Sequence, residues 1–343
     1  MPRTELLLSV WESALNKEEK FWAKLGKLIT AKRLTSVGIS TLSPYGLSYG
    51  SVKLPQFVHM EDFVDSSIHN IDTLAKDSDV HVDFWLSILY NVFLSDDYRQ
   101  VDNEGKPNPD FICPNRHGIL RVLKDVFADI FTQRWFNLSY LTEKPGIILD
   151  AIRFFDFEHC CCDSCIEAFE KESGIYRTSF REFMKENHRH AKPLFSRKWV
   201  MFRSKSITRF LREALLSVSN VGETSTVYSG FGDESSLSSG PVQRGCLFED
   251  FVHVDVDRIV IRCTERWLYK SDARDEVLFL LPIWRDTILE TGKQVALIVY
   301  GYHMQNEIAS AEKLVKETGI DALLFAPMSS YGAEEIVRYY LSK

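Results

Sequence analysis

No stretch of the 343-residue sequence approaches the ~18 consecutive apolar residues of a membrane span. The opening MPRTELLLSVWESALNKEEKFW has one short apolar run, broken at Trp11 and Glu12, and lacks the apolar core and small-residue cleavage site of a secretory leader. A cytoplasmic location is therefore the expectation, and in that compartment seven cysteines read as thiols or metal ligands rather than disulfides. Positive charge is in deficit, with 41 Lys and Arg against 48 Asp and Glu and a net charge of -7. That balance argues against a nucleic-acid surface. There is no H-E-x-x-H pattern and no repeat of the ~20 to 50 residues that builds a solenoid. What remains is the composition of a globular chain, 45% hydrophobic and 26% charged, long enough for one large core.

The most informative stretch is Gly146 to Cys165, GIILDAIRFFDFEHCCCDSC. Ile147, Ile148 and Leu149 form an apolar run ending in Asp150, the pattern of a buried parallel strand that opens into a functional loop. Seven further segments read as strands: Leu34 to Ser40, Leu54 to His59, Val82 to Val92, Thr224 to Phe231, Arg258 to Cys263, Gln294 to Tyr302 and Asp321 to Pro327. Helical patterns fill most gaps, at Met60 to Lys76, Arg116 to Gln133, Ser164 to Val218, Asp275 to Glu290, Gln305 to Glu317 and Ala333 to Leu341. Strands alternating with helices imply a parallel sheet, and eight of them close into an α/β fold of the (β/α)8 TIM barrel class. Leu7, Trp11, Leu15, Phe21, Leu25 and Leu28 recur near helical spacing. Residues 1–30 are accordingly expected as an N-terminal amphipathic helical extension, and 31–343 as the barrel. Residues 41–53 are too rich in Ser, Gly and Tyr for an ordinary first helix, and 232–246 read as a long loop after strand five.

In such a barrel the loops after the strands gather on one face. The candidates there are His59, Asn91, Asp96, Asp97, Asp150, Arg153, Asp233, Glu234, Glu265, Trp267, Tyr302, His303, Ser329 and Tyr331. Carboxylates, aromatics and polar groups with little positive charge suit a carbohydrate, since aromatic faces stack on sugar rings and carboxylates do acid–base work. Asp150 is the first choice for a nucleophile or charge stabiliser, with Arg153 supplying a positive charge nearby. Glu265, in CTERW with Trp267 two residues on, is the choice for the acid, and Asp233 and Glu234 are its rivals. Trp85, Arg153, Trp267, Tyr302 and His303 are candidates for positioning substrate. A catalytic metal on His59, His303 and rim carboxylates is a separate reading.

Cys160-x-Cys162-x-x-Cys165 places three thiols within six residues, and Cys113 follows strand three in ICPNRHG. Adjacent strands three and four would bring Cys113 to the cluster and complete the closed four-cysteine set of a structural zinc. His159 or Cys161 could replace one ligand, and an iron–sulfur cluster on the same thiolates is the other option.

Together CPNRHG, a helix, GIILDAIRF and the C-x-C-x-x-C cluster resemble glycoside hydrolase family 42 and related glycosidase-like barrels, over about residues 80 to 215. In that family a cysteine after strand three and a C-x-C-x-x-C after strand four hold zinc. The resemblance thus implies a sugar-acting barrel with zinc on Cys113, Cys160, Cys162 and Cys165. Family 42 also has a general-acid Glu ending strand four and a nucleophilic Glu ending strand seven. Here strand four ends in Asp150 and strand seven in Gly301-Tyr302-His303. A barrel that has lost a catalytic carboxylate and binds a glycan or protein is the runner-up reading. The family's frequent self-association leaves a homo-oligomer open.

Overall fold

The computed structural model describes residues 3–8, 18–54, 59, 63–75, 80–92, 94–133, 136, 144–185, 193–218, 221–228, 240–263, 265–269, 271–302 and 304–343. Eight parallel strands close on themselves: β1 (Arg3–Leu8), β2 (Ser36–Ser43), β3 (His81–Ser87), β4 (Gly146–Asp150), β5 (Thr224–Tyr228), β6 (Arg258–Cys263), β7 (Gln294–Gly301) and β8 (Ala322–Pro327). Each pairs with its sequence neighbours, and β1 closes the ring by pairing with both β8 and β2. Helices Glu19–Thr30, Phe63–Ala75, Ile119–Thr132, Pro193–Leu215, Ser271–Glu290, Gln305–Thr318 and Ser330–Ser342 lie between or after the strands. The chain is a (β/α)8 TIM barrel.

Two expectations are corrected here. The N-terminal extension is not found: Arg3–Leu8 is the first barrel strand, and Glu19–Thr30 is the helix that follows it. Leu6, Leu7 and Leu8 are all buried because a strand in a closed barrel is covered on both faces, so the run shows no alternation to separate it from a helix. Nor is Leu54 to His59 the second strand. That place belongs to Ser36–Ser43, while His59 makes only an isolated bridge with Leu47 and residues 55–58 lie outside the described residues.

Alternation along the strands separates two apolar layers. One large cluster lies between sheet and helices, and a smaller inner one holds Leu7, Ile148, Val227, Val260, Ala296, Ile298 and Leu324. Trp85 and Tyr300, both half-buried, pack against the inner cluster.

Below that cluster the barrel is plugged by charge. Arg258, fully buried, bonds Glu5 at 2.6 Å, Glu223 at 2.8 Å and the Ser225 hydroxyl at 2.9 Å. Asp83 accepts from Ser36 at 2.9 Å and meets His81 Nε2 at 3.0 Å. Gly146 must pass this plug without a side chain, because a Cβ there would lie 2.0 Å from Asp83 Oδ1. Burying these charges costs free energy unless each is paired, so removing one partner is far more damaging than having none.

Protonation of this plug makes stability depend on pH. Burial works against a charged His81, but the hydrogen bond and charge of Asp83 outweigh it and hold the imidazole above its ordinary value. Burial likewise works against a charged Asp83, yet His81 and Arg258 leave its carboxyl below the ordinary range. A raised His contributes stability below its unfolded value of ~6.5 and loses it as pH rises through the folded value; a lowered Asp contributes above ~3.9 and loses it as pH falls. The pair is therefore expected to support the fold best between about pH 4 and 6.5. The urea midpoint should fall as pH rises from about 6 to 8, and this component should vanish in His81→Gln. Equal pH slopes for the two proteins would refute the assignment.

Candidate active site and metal centre

The C-terminal ends of the strands carry the candidate active site. Asp150 is the last residue of β4 and is 6% exposed. Its Oδ1 accepts the main-chain N–H of Ala151 at 2.5 Å, and its Oδ2 accepts the Tyr300 hydroxyl at 2.7 Å. Tyr300 comes from β7, on the same inward face as Ala296 and Ile298. Burial, and then the charge of Asp150, hold its phenol well above the ordinary value. Tyr300 is therefore a neutral donor throughout the physiological range. Arg262, inward on β6, lies with its guanidinium 5.1 Å from the Tyr300 ring centroid, a cation–π contact. Neither Tyr300 nor Arg262 was legible as a site residue, because both sit inside strands rather than in the loops after them. Period-two counting back from the end of β7 would have placed Tyr300 inward with Ile298.

Arg153 does reach the mouth, its guanidinium 4.9 Å from the Phe111 ring centroid. Tyr90 shows which loops converge there. Burial raises its phenol first, followed by Asp110, with Tyr45 and Tyr302 close enough to add to the effect and Arg153 to oppose it. Residues following β2, β3, β4 and β7 thus lie within electrostatic reach of one tyrosine. Tyr302 is 61% and Tyr331 49% exposed. The Ser329 hydroxyl, which caps the last helix by accepting from Gly332, donates to the Tyr302 carbonyl at 2.7 Å and ties the two loops together. Trp85 is half-buried on the inner face of β3.

Other candidates fall elsewhere. Trp267 is 1% exposed in the layer between sheet and helices, so its rings have no open face for a ligand. His59 has both ring nitrogens engaged, with Ser51 N at 3.1 Å and Leu54 O at 3.0 Å, which leaves none for a metal. Asn91 is buried and its side chain accepts from Leu94, while Asp96 and Asp97 stand exposed in a single helical turn after β3. Glu265 begins the short helix Glu265–Tyr269 directly after β6, but its side chain lies outside the described residues. Asp233, Glu234 and His303 lie outside them entirely.

The cysteine reading fares differently. Cys113, Cys160, Cys162 and Cys165 are all buried, and their sulfurs lie within 4.8 Å of one another. Cys113 Sγ is 3.3 Å from Cys165 Sγ and 3.6 Å from Cys162 Sγ. A tetrahedral ion with bonds of ~2.3 Å sets sulfur–sulfur edges near ~3.8 Å, so the group suits one ion rather than a multinuclear cluster. Neither expected substitute belongs to the converged group: His159 Nδ1 pairs with Asp156 at 2.7 Å, and the Cys161 thiol donates to the Glu158 carbonyl at 2.9 Å.

Local structure explains the convergence. A hairpin of Arg99–Val101 and Pro107–Ile112 after β3 ends at Cys113. Val101 N–H donates to Cys160 Sγ at 3.2 Å, and Val101 O accepts from Cys161 N at 2.6 Å. Cys162 occupies the N-cap of helix Asp163–Ser173, where the helix dipole favours a thiolate. Hydrogen bonds from the neighbouring thiols push Cys162 well below its ordinary value, while burial pushes Cys113 and Cys165 up. A divalent cation bound by such a group would hold all four as thiolates. The donor set fits zinc, and it would clamp the loops after β3 and β4 to each other.

No family model matches the chain, and no curated protein does. Among solved structures the chain is similar to the catalytic domain of the Paenibacillus polymyxa β-amylase, with a TM-score of 0.67 and 11% identity over 99% of this chain and 98% of that one. It is similar to the polyextremophilic β-galactosidase of Halorubrum lacusprofundi at 0.62 and 13%, over 99% of this chain and 58% of that longer one. It is also similar to the endo-1,4-β-mannanase of Rhizomucor miehei at 0.54 and 10%, over 98% and 94%. At these identities the likeness carries the fold alone; the three proteins named are glycoside hydrolases.

Proposed function

We propose that this barrel is a glycoside hydrolase acting on a carbohydrate through two carboxylates at its C-terminal rim, with a structural zinc on Cys113, Cys160, Cys162 and Cys165. The observation that carries the reading is Asp150 at the end of β4, held through both oxygens by Ala151 N–H and the Tyr300 hydroxyl, with Arg262 and Arg153 within electrostatic reach of that tyrosine. Glycoside hydrolysis requires one carboxyl group to donate a proton to the leaving oxygen and another, ionised, to attack or to activate water. Asp150 is assigned the second of these roles, nucleophile or charge stabiliser. Its proton-donating counterpart is Glu265 after β6, with Asp233 and Glu234 as alternatives. Arg153 and Tyr302 contact the sugar, Trp85 lines the floor, and His303 is kept as a positioning candidate. The resemblance to family 42 supports the zinc more than it supports the catalytic pair.

One observation favours a second reading, in which the barrel binds a glycan without cleaving it. The inward residues of β7, where family 42 carries its nucleophile, are Ala296, Ile298 and Tyr300, none of them a carboxylate. A panel of nitrophenyl glycosides and β-linked oligosaccharides separates the two. Release of nitrophenol or reducing ends from any member supports the hydrolase. Saturable quenching of tryptophan fluorescence by an oligosaccharide, with no release across the panel, supports the binding protein.

A further inference from the structure

Asn115 makes four hydrogen bonds at and beside the four-cysteine group, and none of the sequence patterns points to it. Its main-chain N–H donates to Cys113 Sγ at 3.4 Å. Its Nδ2 donates to Cys165 Sγ at 3.3 Å and to the Ser206 hydroxyl at 3.1 Å. Its Oδ1 accepts from Arg209 at 2.9 Å. Both polar atoms of the side chain are therefore used, and each bonds a residue of the helix Pro193–Leu215.

The two ends of an amide differ only in that one donates and the other accepts, so its neighbours decide which way it faces. A hydroxyl can do either. A guanidinium can only donate. Arg209 thus selects the orientation that turns Nδ2 toward Cys165. It does so from outside, as an exposed residue with no contact to the sulfurs among the described interactions. The consequence for a metal is direct, because a divalent ion on four thiolates leaves a buried dianionic centre, and N–H donors to sulfur offset that charge. The same helix also buries Arg203 within electrostatic reach of Cys160, Cys161 and Cys165.

We propose that Arg209 is a positioning residue for metal retention: by donating to Asn115 Oδ1 it locks the amide with Nδ2 on the Cys165 thiolate. This rests on the reading that a divalent ion fills the four-cysteine site. Replacing Arg209 by an acceptor inverts the amide and turns Oδ1 onto the sulfur, where it repels.

The test uses the full chain loaded with Co2+, whose tetrahedral thiolate absorption in the visible reports occupancy, and follows its loss into excess EDTA. Arg209→Glu is expected to release cobalt about tenfold faster or more than the unaltered chain, the scale on which outer partners of metal ligands act. Arg209→Gln, which keeps a donor, should stay near the unaltered rate. Arg212→Glu makes the same charge change on an exposed residue of the same helix and should also leave the rate near normal. Circular dichroism confirms that each surface variant is folded. Release from Arg209→Glu at the normal rate, or equally fast release from Arg212→Glu, overturns the proposal, the latter by assigning the effect to the general field. Failure of the unaltered chain to take up cobalt overturns the metal reading itself.

Discussion

Asp150→Asn is expected to lower turnover of any glycoside the chain hydrolyses by about a thousandfold or more, the scale of a well-placed catalytic group. The substitution keeps the shape of the side chain and its acceptor oxygen, so the thermal midpoint should move by only a few degrees. The amide cannot form the covalent bond or take up the proton that the mechanism asks of a carboxylate. Tyr300→Phe removes the donor on Oδ2 and leaves the ring beside Arg262 in place. A hydrogen bond to a charged group contributes about 1.5 to 3 kcal/mol, so kcat should fall roughly ten- to a hundredfold with KM little changed. Steady-state kinetics on the best substrate of the panel reads both. An Asp150→Asn enzyme with undiminished kcat would remove Asp150 from the chemistry.

Loss of the metal is expected to act on stability before it acts on chemistry. Cys165→Ser removes a fully buried member of the proposed zinc set and leaves three thiols that cannot close a tetrahedron. Metal content should drop below one ion per chain and the thermal midpoint by on the order of 10 °C, since binding free energy at a structural site is folding free energy. The damage should be local. Limited proteolysis is expected to cut first in the hairpin Arg99–Ile112 and in residues 154–162, which the cluster stitches together. Phe111 lies in the first of these segments and Arg153 immediately precedes the second, so turnover should fall with the fold. A chelator that abolishes activity while leaving the midpoint unmoved would instead place a metal in the catalytic step.

What could be read from the sequence depended on how many physical constraints met at one residue. Ser36–Ser43, expected as Leu34 to Ser40, and the strands from β3 onward were legible, the latter because apolar runs such as Ile147 to Leu149 end in polar residues and are followed by helical patterns. Arg3–Leu8 was not, because Leu6 to Leu8 suit a helix and a doubly covered strand equally, and only closure with β8 decides between them. Ser36–Ser43 presents Ser36, Gly38 and Ser40 to the barrel interior and Val37 and Ile39 to the helices, an inversion of the apolar-inside rule forced by the narrow, charge-plugged lower barrel. Asp150 and the four cysteines could be picked out because chemistry restricts where carboxylates and thiols cluster. Tyr300, Arg262, Tyr90 and Asn115 could not, since nothing in their local sequence separates a tyrosine packed in a core from one that holds a carboxylate. Their roles arise from pairings between residues 90 and 302, or 115 and 209, which exist only once the barrel closes.

The most direct test is an experimental structure of the chain with a bound oligosaccharide, in which the distance from the Asp150 carboxyl to the nearest acidic side chain across the sugar is measured. A second carboxyl from Glu265, Asp233 or Glu234 is expected at about 5 to 5.5 Å for a retaining enzyme or about 6.5 to 9.5 Å for an inverting one. A sugar seated in the mouth with no carboxyl group in either range would contradict two-carboxylate hydrolysis and leave a barrel that binds its glycan without cutting it.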